Sequence, residues 1–460
     1  MQKYDVVWIG TGQATGTVIP RLVKAGKKIA IVEGGRFGGS CVNYGCTPTK
    51  TLVASARAAH MARRGGDFGV QIHGGFTIDF AKIRARMNNI RNRSSQGLER
   101  WLRGMDGVDV YTGYGLFESE HTVRIGDDII YGETIIIHTG TRSRAAPIAG
   151  IDEVDWLDNV RLLELTALPE HLIIVGGSYI GMEFAQVFRR FGCEVTILQR
   201  SAYLMSREDR DIAQAATDVL SAEGIHIVTN MNATKVVQHQ PEQINVFYEV
   251  DGVEHRVMGS HLLMATGRVP NSDKLNLAAA GVESNRRGYI GVNDVLQTNV
   301  PHIYAIGDVN GRGAFTHTSV NDGETFWDHY SGEGDRNLSE RIVTYAMYID
   351  PPLGRVGMSE KDARQSGRNV LMATRKMAHI SRAKEKDETA GLVKILVDAD
   401  SEEFLGATIL GVGGDEIINV FTPFMYTKQS YKLFRKAVLT HPTVAELLPW
   451  ILDDLAPLQE

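Results

Sequence analysis

Three cysteines in 460 residues are too few for a disulfide framework. No apolar run reaches the roughly 20 residues that a membrane helix needs, so a membrane protein is not expected. An excess of positive charge is missing too, and a formal net charge of −6 gives no reason to expect nucleic acid as a partner. Nor is a secretory leader expected, because MQKYDVVWIGTG runs straight into a strand-like stretch and a glycine turn, unlike a signal peptide. A cytoplasmic protein is the expectation. What remains is a soluble composition, 43% hydrophobic and 23% charged, in a chain long enough for about two to four domains. Glycine stands out: there are 48, above the usual ~7%, gathered at strand ends where tight turns meet ligands.

Residues 4–10, YDVVWIG, read as a buried strand, followed by the turn GTGQATG, a helical stretch and a second apolar run, KKIAIVE, ending in Glu33. This is the layout of a dinucleotide site. Gly10 makes the turn, Gly12 lets backbone N–H groups approach a pyrophosphate, and Glu33 can accept from a ribose. Thr15 stands where a third glycine is usual. The layout recurs in HLIIVGGSYIGMEFAQVFRRFGCEVTILQR, with Gly176 and Gln199 23 positions apart, as Gly10 and Glu33 are. Two matching units imply two dinucleotides. In the second, Ser178 replaces a glycine, and neutral Gln199 followed by Arg200 replaces the acid. An acid there repels a 2′-phosphate and an arginine attracts it, so NADPH is expected over NADH, with Arg200 the main contact and Arg207 a weaker one.

Residues 38–50, GGSCVNYGCTPTK, place Cys41 and Cys46 five positions apart, before a helical stretch at 49–64. The spacing alone admits a crosslink, a metal pair or a redox couple. A metal needs two further ligands at fitting spacing, and no such cluster is evident. Thiolates near a helix N-terminus are stabilised and reactive, which favours the redox couple, and Pro48 suits a first turn. Cys193, before a buried run, reads as inert core, and RAKEKDE at 382–388 reads as a solvated loop.

With both nucleotide units placed, GGSCVNYGCTPTK resembles the redox segment GGxCxNxGCxPxK of the class I pyridine nucleotide-disulfide oxidoreductases. YTGYGLF (111–117), HTGTRSRAAPIAG (138–150), ATGRVPN (265–271), TNVPHIYAIGDV (298–309) and HPTVAE (441–446) are similar to further segments of that family. The resemblance implies an α/β chain with two Rossmann-like domains, for FAD and NAD(P), and a C-terminal α+β dimerisation domain. The expected parts are an FAD-binding part at 1–149, an NAD(P)H part at 150–267, a return to the FAD domain at 268–338 and the dimerisation part at 339–460. Proline and glycine mark breaks near Pro147, Gly150, Gly267 and Pro270 and at 332–335, and the alternating runs GLVKILVD and GATILGV suggest an antiparallel sheet followed by helices.

The resemblance also assigns roles. Cys46 faces the flavin and Cys41 is the interchange thiol. Lys50, one helical turn beyond Cys46, pairs with Glu183 beside the flavin. His441, held by Glu446, is the acid–base group and acts on the partner subunit's disulfide, so the protein is an obligate homodimer. FAD contacts fall to Gly10, Gly12, Glu33, Gly39, Ser40, Lys50, Gly115, Thr139, Gly140, Asp308 (ribityl chain), Thr316 and His317, the last at a helix N-terminus where the backbone matters more than the imidazole. NADPH contacts fall to Gly176, Ser178, Tyr179, Ile180, Glu183, Gln199, Arg200, Arg207 and Gly267. No metal site is expected. His138 replaces an alanine common in the family and has no assigned role.

For the substrate, Gln199 argues against dihydrolipoamide dehydrogenases, which carry an acid there. VTILQRS with REDRDI is closer to mercuric reductases, but the tail WILDDLAPLQE lacks their vicinal cysteines, and a cysteine-bearing metal-capture domain is not expected. No arginine set for glutathione is evident. PPLGRVGMSE and LTHPTVAELL are similar to segments of flavoenzymes that reduce hypothiocyanous acid, which makes that small oxidant the expected substrate. The alternatives are mercuric-type metal-ion reduction, a low-molecular-weight disulfide such as glutathione disulfide, or a redox-sensing flavoprotein with slow turnover.

Overall fold

The strand β1 (Gln2–Ile9) is almost wholly apolar beyond Asp5, as a parallel strand covered on both faces must be. In the computed structural model, which describes residues 1–458, it pairs in parallel with β2 (Ile29–Glu33) on one side and with Asp128–Ile137 on the other. The helix α1 (Thr15–Lys24) crosses between β1 and β2, and Val108–Thr112 extends the sheet beyond β2. Strand Asp128–Ile137 divides one edge between two partners. Thr122–Ile125 runs antiparallel to its first half, and Ile303–Ala305 runs parallel to its last three residues. A segment far along the chain therefore closes the first sheet.

The second unit repeats this construction. His171–Val175 lies between Glu194–Leu198 and His261–Met264, all parallel, with His226–Val228 beyond. The registers match as well: Ile9 pairs with Val32, and Val175 with Leu198, each 23 positions on. One difference appears at the turns. The helix of the second unit starts at Tyr179, three positions after Gly176, whereas α1 starts at Thr15, five after Gly10. Gly181 shows why a third glycine is needed in the second unit, since a Cβ there would stand 2.1 Å from the Gly176 carbonyl oxygen. The later start of α1 admits Thr15, whose hydroxyl accepts from the Trp8 indole at 3.1 Å.

A third, antiparallel sheet is ordered Thr344–Met347, Leu353–Gly357, Phe404–Leu410, Leu392–Asp398, Val370–Lys376, Ala456–Pro457. The two runs expected to alternate are its central pair. The segment after them is not helical to its end: short helices give way to Ala456–Pro457, which returns to the sheet edge. Residues 382–388 are likewise no free loop. Ser381–Glu385 is helical, and Glu388 pairs with Arg57 of the helix that starts at Cys46, and Asp387 with Arg64 just past that helix's end.

The architecture is α/β, two Rossmann-like units and a C-terminal α+β unit. One apolar core is shared by all three parts: Leu52 and Ala56 pack with Met182 and Phe184 of the second unit and with Met347, Leu353 and Leu410 of the third sheet. Burying such side chains contributes ~25 cal/mol per Å2 of apolar surface. Their neighbours in sequence are the polar residues of the site.

Candidate active site

A cavity of about 820 Å3 runs from Gly10, Gly12 and Glu33 at one end to Cys41, Cys46, Lys50 and Glu183 at the other. The turn at Gly10 has φ +100°, and a Cβ there would stand 2.4 Å from the His138 carbonyl oxygen. The same holds in the second unit, where Gly176, at φ +111°, would meet the Ala265 carbonyl oxygen at 2.4 Å. Only glycine fits either place. Each loop is closed by the side chain at the end of the second strand: Glu33 accepts from Thr11 N–H at 2.9 Å, and Gln199 from Gly177 N–H at 2.8 Å.

Cys41 lies in the short helix α2 (Gly39–Tyr44), and Cys46 is the first residue of α3 (Cys46–Arg63). Both are thiols; Cys46 is exposed to the cavity, and its Sγ lies 3.1 Å from the Thr316 hydroxyl at the start of the helix Thr316–Ser331. The two sulfurs are unequal. A hydrogen bond from Cys41, helped by Thr316 and by the Lys50 charge, outweighs burial and brings Cys46 down to about 6. The bond to Cys46, together with burial, pushes Cys41 up, so Cys41 keeps its proton. Cys193 is 2% exposed in the second unit's core, and burial raises its thiol to about 12.

Lys50 Nζ lies 2.7 Å from Glu183 Oε2, joining α3 to the helix Tyr179–Phe191. Asp308 lines the cavity and accepts from the Thr141 hydroxyl at 2.9 Å; that hydroxyl in turn accepts from Arg268 Nε at 2.7 Å. Burial raises Asp308, with the Arg268 charge opposing it. Gly39, Ser40, Gly115, Thr139, Gly140, Thr316 and His317 all line the same cavity. The His317 imidazole turns outward to the Thr344 carbonyl, 2.6 Å away, which leaves the helix backbone to face the cavity. His138 is 5% exposed beneath Gly12, with Nε2 2.9 Å from the Ser319 hydroxyl; burial lowers it to about 3, so it is neutral.

Of the residues expected at the second nucleotide, Tyr179, Ile180 and Glu183 also line this cavity. Gly176, Ser178, Gln199 and Gly267 lie outside it, on the second unit. Arg200 and Arg207 are exposed and make no hydrogen bond or ion pair among the described residues. His441 and Glu446 are paired, Nδ1 to Oε2 2.9 Å, but neither lines the cavity, and the imidazole is 79% exposed. Sequence reasoning missed Thr141 and Arg268, which hold Asp308, and Tyr348, which lines the cavity from the third sheet. ATGRVPN contained Arg268, but a cation beside a glycine turn gives no signal of which carboxylate it faces.

The cavity suits FAD. Its glycine turns leave the space that a Cβ would fill, and the Thr139 hydroxyl is buried in its wall without a partner. Residues 4–323 match the family described as pyridine nucleotide-disulphide oxidoreductase, and residues 343–452 match the dimerisation domain of that family. The chain is 36% identical to the probable pyridine nucleotide-disulfide oxidoreductase RclA of Escherichia coli K12, covering 97% of this chain and 98% of the relative. It is 31% identical to a mercuric reductase of Bacillus cereus, covering 96% and 70% respectively. Among solved structures, a copper(II) complex of a variant of E. coli RclA, described as an HOCl-induced flavoprotein disulfide reductase, superposes with TM-score 0.90 at 35% identity over 98% and 99% of the two chains. The chain belongs to the FAD-dependent pyridine nucleotide-disulfide oxidoreductases.

Proposed function

We propose that this chain, as a homodimer divided at residues 149, 267 and 338, carries electron pairs from NADPH to the Cys41–Cys46 pair and on to hypothiocyanous acid. The observation that carries the reading is the unequal sulfur pair at the cavity end, one thiol brought down to about 6 and the other pushed up. Gly10, Gly12, Glu33, Thr139 and Asp308 would hold FAD, with Cys46, Lys50 and Thr316 at its isoalloxazine end. FAD, when bound, supplies the two-electron carrier between a reduced nicotinamide and the sulfur pair.

Cys41 is the sulfur that meets substrate, and because it keeps its proton it needs a base. His441 of the partner subunit, oriented by that subunit's Glu446, would supply it. The Cys41 thiolate attacks the sulfur of hypothiocyanous acid; hydroxide leaves and takes the proton back from the imidazole as water. The Cys46 thiolate then displaces thiocyanate from Cys41 and closes the disulfide. Two electrons have passed from sulfur to the oxidant. NADPH is favoured by neutral Gln199 and by two exposed, unpaired arginines at the ribose end of the second unit.

A second reading, reduction of a thiophilic metal ion, is favoured by the mercuric reductase relative and the copper(II)-bound neighbour. Against it, the third cysteine of the sequence is buried elsewhere. Purified FAD-loaded protein with NADPH or NADH, offered hypothiocyanous acid, Hg(II), Cu(II), glutathione disulfide and lipoamide, decides between them. The highest kcat/KM is expected for hypothiocyanous acid with NADPH; faster turnover of Hg(II) would sink the leading reading.

A further inference from the structure

Tyr348 follows the strand Thr344–Met347 of the third sheet, between Met347 and Ile349, which are 0% and 2% exposed. With both neighbours locked in the core, its ring is directed into the cavity. Its backbone N–H donates to Glu183 Oε1 at 2.8 Å, and its ring centroid lies 4.5 Å from Lys50 Nζ. The Lys50 and Glu183 groups are themselves 2.7 Å apart through the other carboxylate oxygen. One residue of the C-terminal unit thus touches both members of the ion pair that joins the two nucleotide units. The Tyr348 hydroxyl makes no hydrogen bond among the described residues, so the ring face and the backbone are what the fold uses.

We propose that Tyr348 is a positioning residue of the electron-transfer site, which clamps the Lys50–Glu183 pair and so fixes the positive charge that supports the Cys46 thiolate. A lysine ammonium on a four-carbon stem has many rotamers, and a carboxylate on one side does not by itself choose among them. An aromatic face on the other side does, because the ring quadrupole attracts the cation most strongly where water is excluded. The backbone bond holds the carboxylate in the same geometry. The proposal rests on the reading that Lys50 stands beside the flavin and Cys46.

The test uses FAD-loaded protein carrying Cys41→Ser, so that Cys46 is the only thiol of the pair. The Cys46 thiolate is followed against pH in two ways, by its long-wavelength absorbance with oxidised FAD and by its rate of alkylation with iodoacetamide. Tyr348→Phe is expected to keep the thiolate-to-thiol ratio within about twofold of the parent. Tyr348→Leu is expected to lower it about tenfold at fixed pH, one pKa unit. Lys50→Gln should lower it at least as far, and Tyr348→Leu added to Lys50→Gln should change nothing more. If Lys50→Gln shifts the titration and Tyr348→Leu does not, the clamp is overturned while the reading of Lys50 stands. If Lys50→Gln shifts nothing, that reading fails and takes the clamp with it. Should the leucine variant lose FAD, Tyr348→Trp and Tyr348→Met replace it: the tryptophan is expected to hold the ratio and the methionine to lower it, and equal ratios overturn the proposal.

Discussion

Cys46 sits at the first position of α3 with the Thr316 hydroxyl against it, and Cys41 lies one short helix earlier, keeping its proton. At pH 7 the reduced protein is therefore expected to hold Cys46 mainly as thiolate, from a value of about 6. The thiolate is formed as pH rises through about 6 and lost as it falls. Ultraviolet thiolate absorbance of the reduced protein should show a step there that Cys46→Ser removes. The same variant should retain FAD and lose turnover by at least about a thousandfold, since no second thiolate can close the disulfide. His138 carries a different prediction. It is buried neutral, from 6.5 in the unfolded chain to about 3 when folded, so the unfolded state binds the extra proton and stability falls as pH drops from 6.5 towards 3. The slope is about 1.4 kcal/mol per pH unit across that window. His138→Ala, the residue that Ala265 supplies in the second unit, should flatten it in denaturant unfolding at pH 6 and pH 4.5.

At the scale of elements, the two glycine turns are one design with two endings. In both, the side chain that ends the second strand reaches back to a loop N–H, a carboxylate in Glu33 and an amide in Gln199. Gln199→Glu preserves the acceptor for Gly177 and adds a negative charge beside any 2′-phosphate. It should raise the NADH-to-NADPH ratio of kcat/KM by about tenfold or more, and Arg200→Ala should lower kcat/KM for NADPH by a similar factor with NADH unaffected. The third sheet is held to the second unit by buried charge. Arg355 pairs with Glu208 and Asp209, while Lys394 pairs with Asp209, Asp211 and Glu360. The three acids that could be taken for a metal site are thus occupied by an ammonium. Arg355→Met leaves Glu208 buried without its cation, a loss of about 3–5 kcal/mol, and should lower the melting temperature by roughly 5–15 °C.

For the whole molecule, His441 and Glu446 are paired with one another and stand apart from the cavity of their own chain. The proposed dimer gives them a disulfide to act on. Homodimers of Cys41→Ser and of His441→Gln should each be inactive. Unfolding and refolding an equal mixture should restore about a quarter of the native activity, because half the dimers are mixed and each has one complete site of two. No recovery in a mixture shown to exchange subunits would assign His441 to the disulfide of its own chain, and an active His441→Gln homodimer would place it outside the reaction. The core shared by Leu52, Phe184 and Met347 explains how three parts of the chain hold Cys46, Lys50, Glu183 and Tyr348 in register.

The sequence alone determined the two Rossmann-like units, the placement of two cysteines before a helix and the antiparallel sheet at 391–412. Each rests on a local pattern, a glycine turn between apolar runs, two cysteines before a helix or a period of two, and local patterns survive in one dimension. It also carried the Lys50–Glu183 pair and Asp308, though only through the resemblance of separated motifs. Tertiary structure decided the rest. Residues 384–387 are exposed, as their charge implied, but the helix at Ser381–Glu385 and the partners that Arg57 and Arg64, more than 300 positions away, give Glu388 and Asp387 were not legible. Tyr348 gave no signal, since an aromatic beside a strand is usually core. Its place against Lys50 and Glu183 exists only because three sheets bury one another's apolar faces, and that long-range packing leaves no trace in residue spacing.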